Sequence, residues 1–194
     1  MNASSLWKMI LVFACLFAVI TGGLFLAANW GARGKTLGGD FILHSSQGDF
    51  SLKEARGKVA VLYFGYTSCP DVCPVSMSKL TQMLKTLPED KRSRILLVFI
   101  SVDSRGDTPE KAQQYASFFL KEAKGVTGSR EEIDRVVRLY GTNYLFEETP
   151  GSAMGYAVQH STSFFLVDPR GRFVEKIPTE TTSEELKAKI LALF

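Results

Sequence analysis

The chain has 194 residues, 45% of them apolar, and a formal net charge of +3. Lys and Arg are scattered, without a basic stripe or interleaved aromatics, so nucleic acid is not an expected partner. No repeat or low-complexity tract is present, and about 160 residues remain after the N-terminal segment, which is one domain with room for its own core.

From the N-terminus, a tail at 1–8 precedes an uncharged run, Met9 to Ala28, broken only by Thr21. Twenty helical residues reach about 30 Å, the thickness of a bilayer's hydrocarbon, so 9–28 is expected to be a transmembrane anchor. A cleaved signal peptide would have a shorter apolar region ending in small residues, and Leu26-Ala27-Ala28 is a poor match. Lys8 lies before the run and Arg33 and Lys35 after it, so charge does not choose an orientation. Cys15, flanked by apolar residues, reads as a membrane-buried small hydrophobe rather than a lipidation site. Residues 29–40 form a Gly-rich, basic linker, and a domain is expected over 41–194.

Within that domain Lys58 to Tyr66 is a continuous apolar run, the mark of a strand covered on both faces. Ser76 to Leu87 carries Met77, Leu80, Met83, Leu84 and Leu87 at helical spacing, and Arg94 to Val102 is a second buried strand, which makes a βαβ unit with parallel strands. Thr108 and Pro109 open a helix expected to reach about Ala123, and another follows over Glu131 to Tyr140. Ser161 to Val167 and Arg172 to Ile177 form a hairpin around Asp168-Pro169-Arg170-Gly171, and a last helix runs from Ser183, a plausible N-cap, to Phe194. This order is that of an α/β, thioredoxin-like fold: a central mixed sheet with helices on both faces, preceded by one transmembrane helix.

The first strand delivers Gly65-Tyr66-Thr67-Ser68-Cys69-Pro70-Asp71-Val72-Cys73-Pro74 to the carboxyl edge of the sheet, where open α/β sheets place their chemistry. Cys69 and Cys73 are the only thiols outside the apolar segment. Standing before a helix N-terminus, they should have lowered thiol pKa values, and two thiolates at this spacing can share a soft metal or close into a disulfide. His160, just before the strand carrying Phe164 and Phe165, can reach the same edge and complete a three-ligand site suited to copper. Zinc is disfavoured because no second Cys or His pair supplies four ligands. His44 reads as structural or exposed. Met77 and Met83 fall on the helix stripe and, like Met154, read as packing residues rather than thioether ligands. Asp103 and Asp107 lie on the loop after the second strand. Helix capping accounts for Asp107, and an acidic surface that assists metal entry or docking makes both possible accessory residues.

Three motifs, Tyr66 to Pro74, Ser101-Val102-Asp103 with Asp107-Thr108-Pro109-Glu110, and Val158-Gln159-His160-Ser161 leading into Phe165 to Gly171, resemble those of the SCO/SenC copper-binding proteins of cytochrome c oxidase assembly. The resemblance covers residues 40 to 194 and the N-terminal anchor. It departs at Ser68, where the family usually has His, and at Gln159, where it usually has Asp. It implies a membrane-anchored copper metallochaperone, not a turnover enzyme. Cys69, Cys73 and His160 would hold Cu(I), and Cu(II) with added ligands, for delivery to the binuclear copper site of cytochrome c oxidase. The alternative is a thiol-disulfide oxidoreductase, with Cys69 and Cys73 as its redox pair, that reduces the acceptor's cysteines. Three residues between the cysteines, and Thr162 and Ser163 where thioredoxins have proline, lean towards metal. Implied partners are the copper-site subunit of the oxidase, another copper chaperone or a thiol reductase, and the bilayer. The implied location is a bacterial inner membrane, single-pass with the domain in the periplasm, rather than the mitochondrial inner membrane facing the intermembrane space, since no Arg-rich presequence is present.

Overall fold

The computed structural model describes residues 13–24, 37–152 and 154–194. They belong to two units, one within Met1–Thr36 and one spanning Leu37–Phe194. In the first, residues 13–24 are helical (α1), with apolar side chains exposed. The Thr21 hydroxyl donates to the Phe17 carbonyl at 2.8 Å, which satisfies it inside an apolar helix. The expected anchor at 9–28 lies partly outside the described residues. Among the described residues no helix is long and apolar enough to cross a membrane.

The second unit runs β1 (Ile42–Ser45), β2 (Gly48–Ser51), a 3-10 turn (Leu52–Ala55), β3 (Val59–Gly65), α2 (Val72–Lys85), α3 (Glu89–Arg92), β4 (Ile95–Ser101), α4 (Pro109–Phe119), β5 (Lys124–Thr127), α5 (Arg130–Leu139), β6 (Tyr144–Glu148), β7 (Tyr156–His160), β8 (Ser163–Val167), β9 (Phe173–Pro178) and α6 (Ser183–Leu191). Seven strands form one mixed sheet in the order β2-β1-β5-β4-β3-β8-β9, and β6 and β7 form a separate antiparallel pair. Strand β3 lies inside the sheet next to the central β4, parallel to it with Gly65 opposite Ser101, and antiparallel to β8.

Every residue of β3 and β8 is buried, as their uninterrupted apolar sequences require. Successive side chains go to opposite faces. Tyr63 and Phe164 pack on one face, where Phe99 of β4 meets Tyr115 of α4. Phe64 and Phe165 pack on the other against Tyr140, at the end of α5. The expected thioredoxin-like layers of sheet and helices are therefore present around the βαβ unit β3-α2-β4.

Several boundaries differ from the sequence pattern. Helix α2 starts at Val72 and takes in Cys73 and Pro74, since proline needs no hydrogen-bond partner in a first turn. Helix α4 stops at Phe119 rather than near Ala123, because Leu120 turns to extended backbone. The cap of α6 is Thr182, whose hydroxyl accepts from the Glu185 amide at 3.2 Å, and not Ser183. The hairpin β1-β2, the strand β5 and the hairpin β6-β7 were not expected. They are short and partly exposed, so they lack the continuous apolar runs that mark β3 and β4. His44 of β1 bonds Asp49 at 2.8 Å and Glu132 at 3.3 Å, the structural role its surroundings suggested. Met77 and Met83 are buried core residues.

Helix α4 rests directly on β5 at Gly125, where an added Cβ would overlap the Ala112 carbonyl. Gln113 from that helix accepts from the Gly125 amide at 3.0 Å and donates to the Ala123 carbonyl at 2.9 Å. Gly125→Ala should therefore force helix and strand apart and cost about 3 kcal/mol, the upper range for overpacking. Urea unfolding measures this, and an unchanged midpoint would contradict the close helix–strand approach.

Candidate metal centre

The carboxyl end of β3 brings the cysteine motif out of the sheet and α2 carries it back. Cys69 stands in the turn before the helix, its amide bonded to the Tyr66 carbonyl at 3.3 Å, and Cys73 is in the first helical turn. Cys73 is fully buried and Cys69 is 9% exposed. Gly65 makes room for the deeper sulfur: a Cβ on Gly65 would lie 2.7 Å from Cys73 Sγ and 3.1 Å from the Phe99 ring. Only the backbone of the strand can lie that close to a sulfur.

His160 ends β7, outside the main sheet, rather than opening β8 as its sequence position suggested. The β6-β7 pairing sets Tyr144 opposite His160 and brings the imidazole to the cysteines. His160 Nε2 lies 3.2 Å from Cys73 Sγ, and Nδ1 lies 3.1 Å from the Ser161 carbonyl. The Ser161 carbonyl thus engages Nδ1, and Nε2 is the nitrogen that faces the sulfurs. The ring meets Tyr63 and Tyr66 edge-on, at centroid distances of 6.2 and 5.8 Å, so aromatic contacts fix its plane. One ligand atom from each of Cys69, Cys73 and His160 lies within 4.8 Å of the others.

The two thiols are electrostatically unequal. A hydrogen bond from the Cys73 thiol holds Cys69 well below the ordinary thiol range, helped against burial by His160 and by the backbone of Asp71 and Cys73 at the helix start. Cys73 is pushed up by the same hydrogen bond, by burial and by the Cys69 charge. One proton is thus shared between them, with the negative charge on the more accessible sulfur. Asp71, at the N-cap position, makes no side-chain cap, which leaves the amides at the helix start to the Cys69 sulfur. Neither Cys69 nor Cys73 is in a disulfide. The donor set of two sulfurs and one imidazole fits a soft ion of low coordination number.

Asp103 and Asp107 do not reach this cluster of ligand atoms, and neither is an exposed acidic surface. Asp107 accepts from the Thr67 amide at 2.8 Å, from the Thr67 hydroxyl at 2.5 Å and from the Ser101 hydroxyl at 2.5 Å, while Thr108 caps α4. Asp103 is 0% exposed and accepts from the Tyr156 hydroxyl. Gln159 points outward and donates to Glu147 at 2.7 Å, and Ser68 is exposed. Tyr63, Tyr66 and Tyr156 were not singled out by sequence. Their only signal there is their position beside the cysteines and on the strand of His160.

The model of the family described as SCO1/SenC matches residues 31–194. A SCO2-like protein of Rickettsia felis is 30% identical over 197 residues, covering 94% of this chain and 95% of that protein. The crystal structure of Arabidopsis thaliana ScoI with copper bound is similar, with a TM-score of 0.74 and 33% identity over 80% of this chain and 96% of that one. The structure of Bradyrhizobium japonicum ScoI with copper bound has a TM-score of 0.71 and 31% identity over 81% of this chain and 99% of that one.

The unequal thiols predict a labelling pattern. With iodoacetamide at pH 6 to 8, Cys69 of the reduced protein should alkylate at a rate nearly independent of pH, because it is already thiolate, while buried Cys73 is protected. Peptide mass spectrometry reads both sites. A Cys69 rate rising about tenfold per pH unit, as for an ordinary thiol, would contradict the shared-proton arrangement.

Proposed function

The chain belongs to the SCO1/SenC family, and from that premise we propose that it is a copper metallochaperone, taking copper on Cys69, Cys73 and His160 and delivering it to the binuclear copper site of cytochrome c oxidase. The observation that carries this reading is the approach of two sulfurs and one imidazole nitrogen to within 4.8 Å, with no further Cys, His or carboxylate in the group among the described residues. Zinc in a structural site wants four protein ligands, whereas Cu(I) is content with soft thiolates and an imidazole at low coordination number. Copper is the cargo of this reaction, and transfer is a ligand exchange. An acceptor thiolate adds to the metal as Cys69, the more exposed of the two sulfurs, leaves, and the buried Cys73 is the last sulfur to let go.

The same residues support thiol-disulfide exchange as a second reading, because a stabilised Cys69 thiolate four residues from a partner thiol is a competent redox pair. His160 favours copper, since exchange between thiols does not require an imidazole nitrogen beside Cys73. The uncharged run at 9–28 supports anchoring in a bacterial inner membrane, with the domain in the periplasm where oxidase copper is loaded.

Titration of the reduced, detergent-solubilised full chain with Cu(I) against a competing chelator tests the proposal. One copper should bind per chain. Cys69→Ala and Cys73→Ala should each weaken binding at least 100-fold, and His160→Ala about 10- to 100-fold. Binding indifferent to His160, accompanied by rapid disulfide exchange, would favour the oxidoreductase.

A further inference from the structure

His160 reaches the cysteines from a hairpin that shares no ladder with the main sheet. Its position is therefore set by whatever ties that hairpin to the domain. A part-buried polar tie on the strand of His160 itself is Tyr156, four residues before it on β7 and so on the same side of the strand. Its hydroxyl donates to the two carboxylate oxygens of Asp103, at 3.1 and 3.0 Å.

Asp103 is itself immobilised. It is fully buried, and its Oδ1 accepts from the amides of Arg105 and Gly106, each at 3.0 Å. Gly106 is required at this point, because a Cβ there would lie 2.6 Å from the Tyr156 hydroxyl oxygen and 2.8 Å from Asp103 Oδ2. Arg105 adds a second grip on the same hairpin: its guanidinium lies 4.2 Å from the centre of the Phe146 ring and pairs with Glu148 at 2.8 Å. Five residues of loop thus hold one half of the site and, through Asp107 and Thr67, the turn that carries Cys69. Burying a carboxylate is costly, and packing alone would be served by an apolar pair at 103 and 156. What the polar pair adds is direction, since a hydroxyl on a fixed carboxylate has a narrow range of positions.

We propose that Asp103 and Tyr156 are positioning residues for copper binding, a latch that sets the distance between His160 and the cysteine pair. The loop between Asp103 and Asp107 is the shared reference for both halves of the site. Tyr156 stands about 13 Å along the strand from His160, so a small displacement of its ring is carried to the imidazole. Ligands must be held to about 0.5 Å for full affinity, which a hairpin without sheet pairing achieves only through such contacts. Burial and the neighbouring Asp103 carboxylate raise the Tyr156 hydroxyl to about 12, so it remains a donor at any physiological pH. This inference rests on the three-ligand copper reading.

The test is a double-mutant cycle on the full chain, in the Cu(I) competition assay. Tyr156→Phe and Asp103→Asn should each weaken Cu(I) binding about tenfold in the unaltered background and by less than twofold when His160 is already Ala. In the Cu(II)-loaded form, Tyr156→Phe should weaken the nitrogen superhyperfine coupling in the electron paramagnetic resonance spectrum. Equal losses with and without His160 would mean a general effect on folding and would overturn the latch, as would no loss in Tyr156→Phe. Tight binding by the unaltered chain that ignores His160 would instead overturn the three-ligand reading, and the latch with it.

Discussion

A sulfur buried in a protein core is stable as a neutral thiol and costly as a thiolate unless something nearby compensates it. Here the Cys73 sulfur is wedged against the backbone of Gly65, with His160 Nε2 at 3.2 Å and the Cys69 thiolate beside it. Most of the local architecture follows from that contact. Strand β3 must end in glycine to admit the sulfur, and α2 must start early enough to bring Cys73 into its first turn. A separate hairpin must arrive from the far side to supply the imidazole. A metal cation entering among these atoms would replace the shared proton and allow both sulfurs to be charged, which is why the same geometry that disfavours two thiolates in the free protein favours a soft ion.

The site is divided between a rigid part and an attached part. The cysteines follow directly from an interior strand of the seven-stranded sheet, β3, which is paired on both sides and has every side chain buried. The imidazole belongs to a two-stranded ribbon, which alone would be marginally stable in water. That ribbon gains its order from side chains: Tyr156 on Asp103, Arg105 between Phe146 and Glu148, and Tyr144 donating to Asp134 at 2.8 Å. A ligand on such an element can be precise when these contacts hold and can be released without disturbing the core, a division that suits the proposed transfer of copper.

The sequence made β3, β4, β8 and the βαβ unit legible, because strands buried on both faces consist of continuous apolar residues and α2 has a helical stripe. It also made Cys69, Cys73 and His160 legible as partners, since no other thiols or unexplained imidazole stood in the domain. The hairpin that carries His160 was hidden. Tyr144 to Glu148 and Tyr156 to His160 are half-exposed, and much of their order comes from Asp103 and Arg105, more than 40 positions away, which no local pattern announces. Asp103 and Asp107 were legible as a pair near the sheet edge but not in their roles. A carboxylate that faces inward to bind an amide or a tyrosine is indistinguishable in sequence from one that faces solvent.

Copper K-edge X-ray absorption of the copper-loaded full chain would decide whether two sulfurs and an imidazole hold the metal, because it counts the atoms bonded to it. Two sulfur scatterers and one imidazole are expected, the imidazole's outer-shell scattering disappearing in His160→Ala while both sulfurs remain. A metal bound by sulfur alone, with a spectrum unchanged by that substitution, would contradict this ligand set.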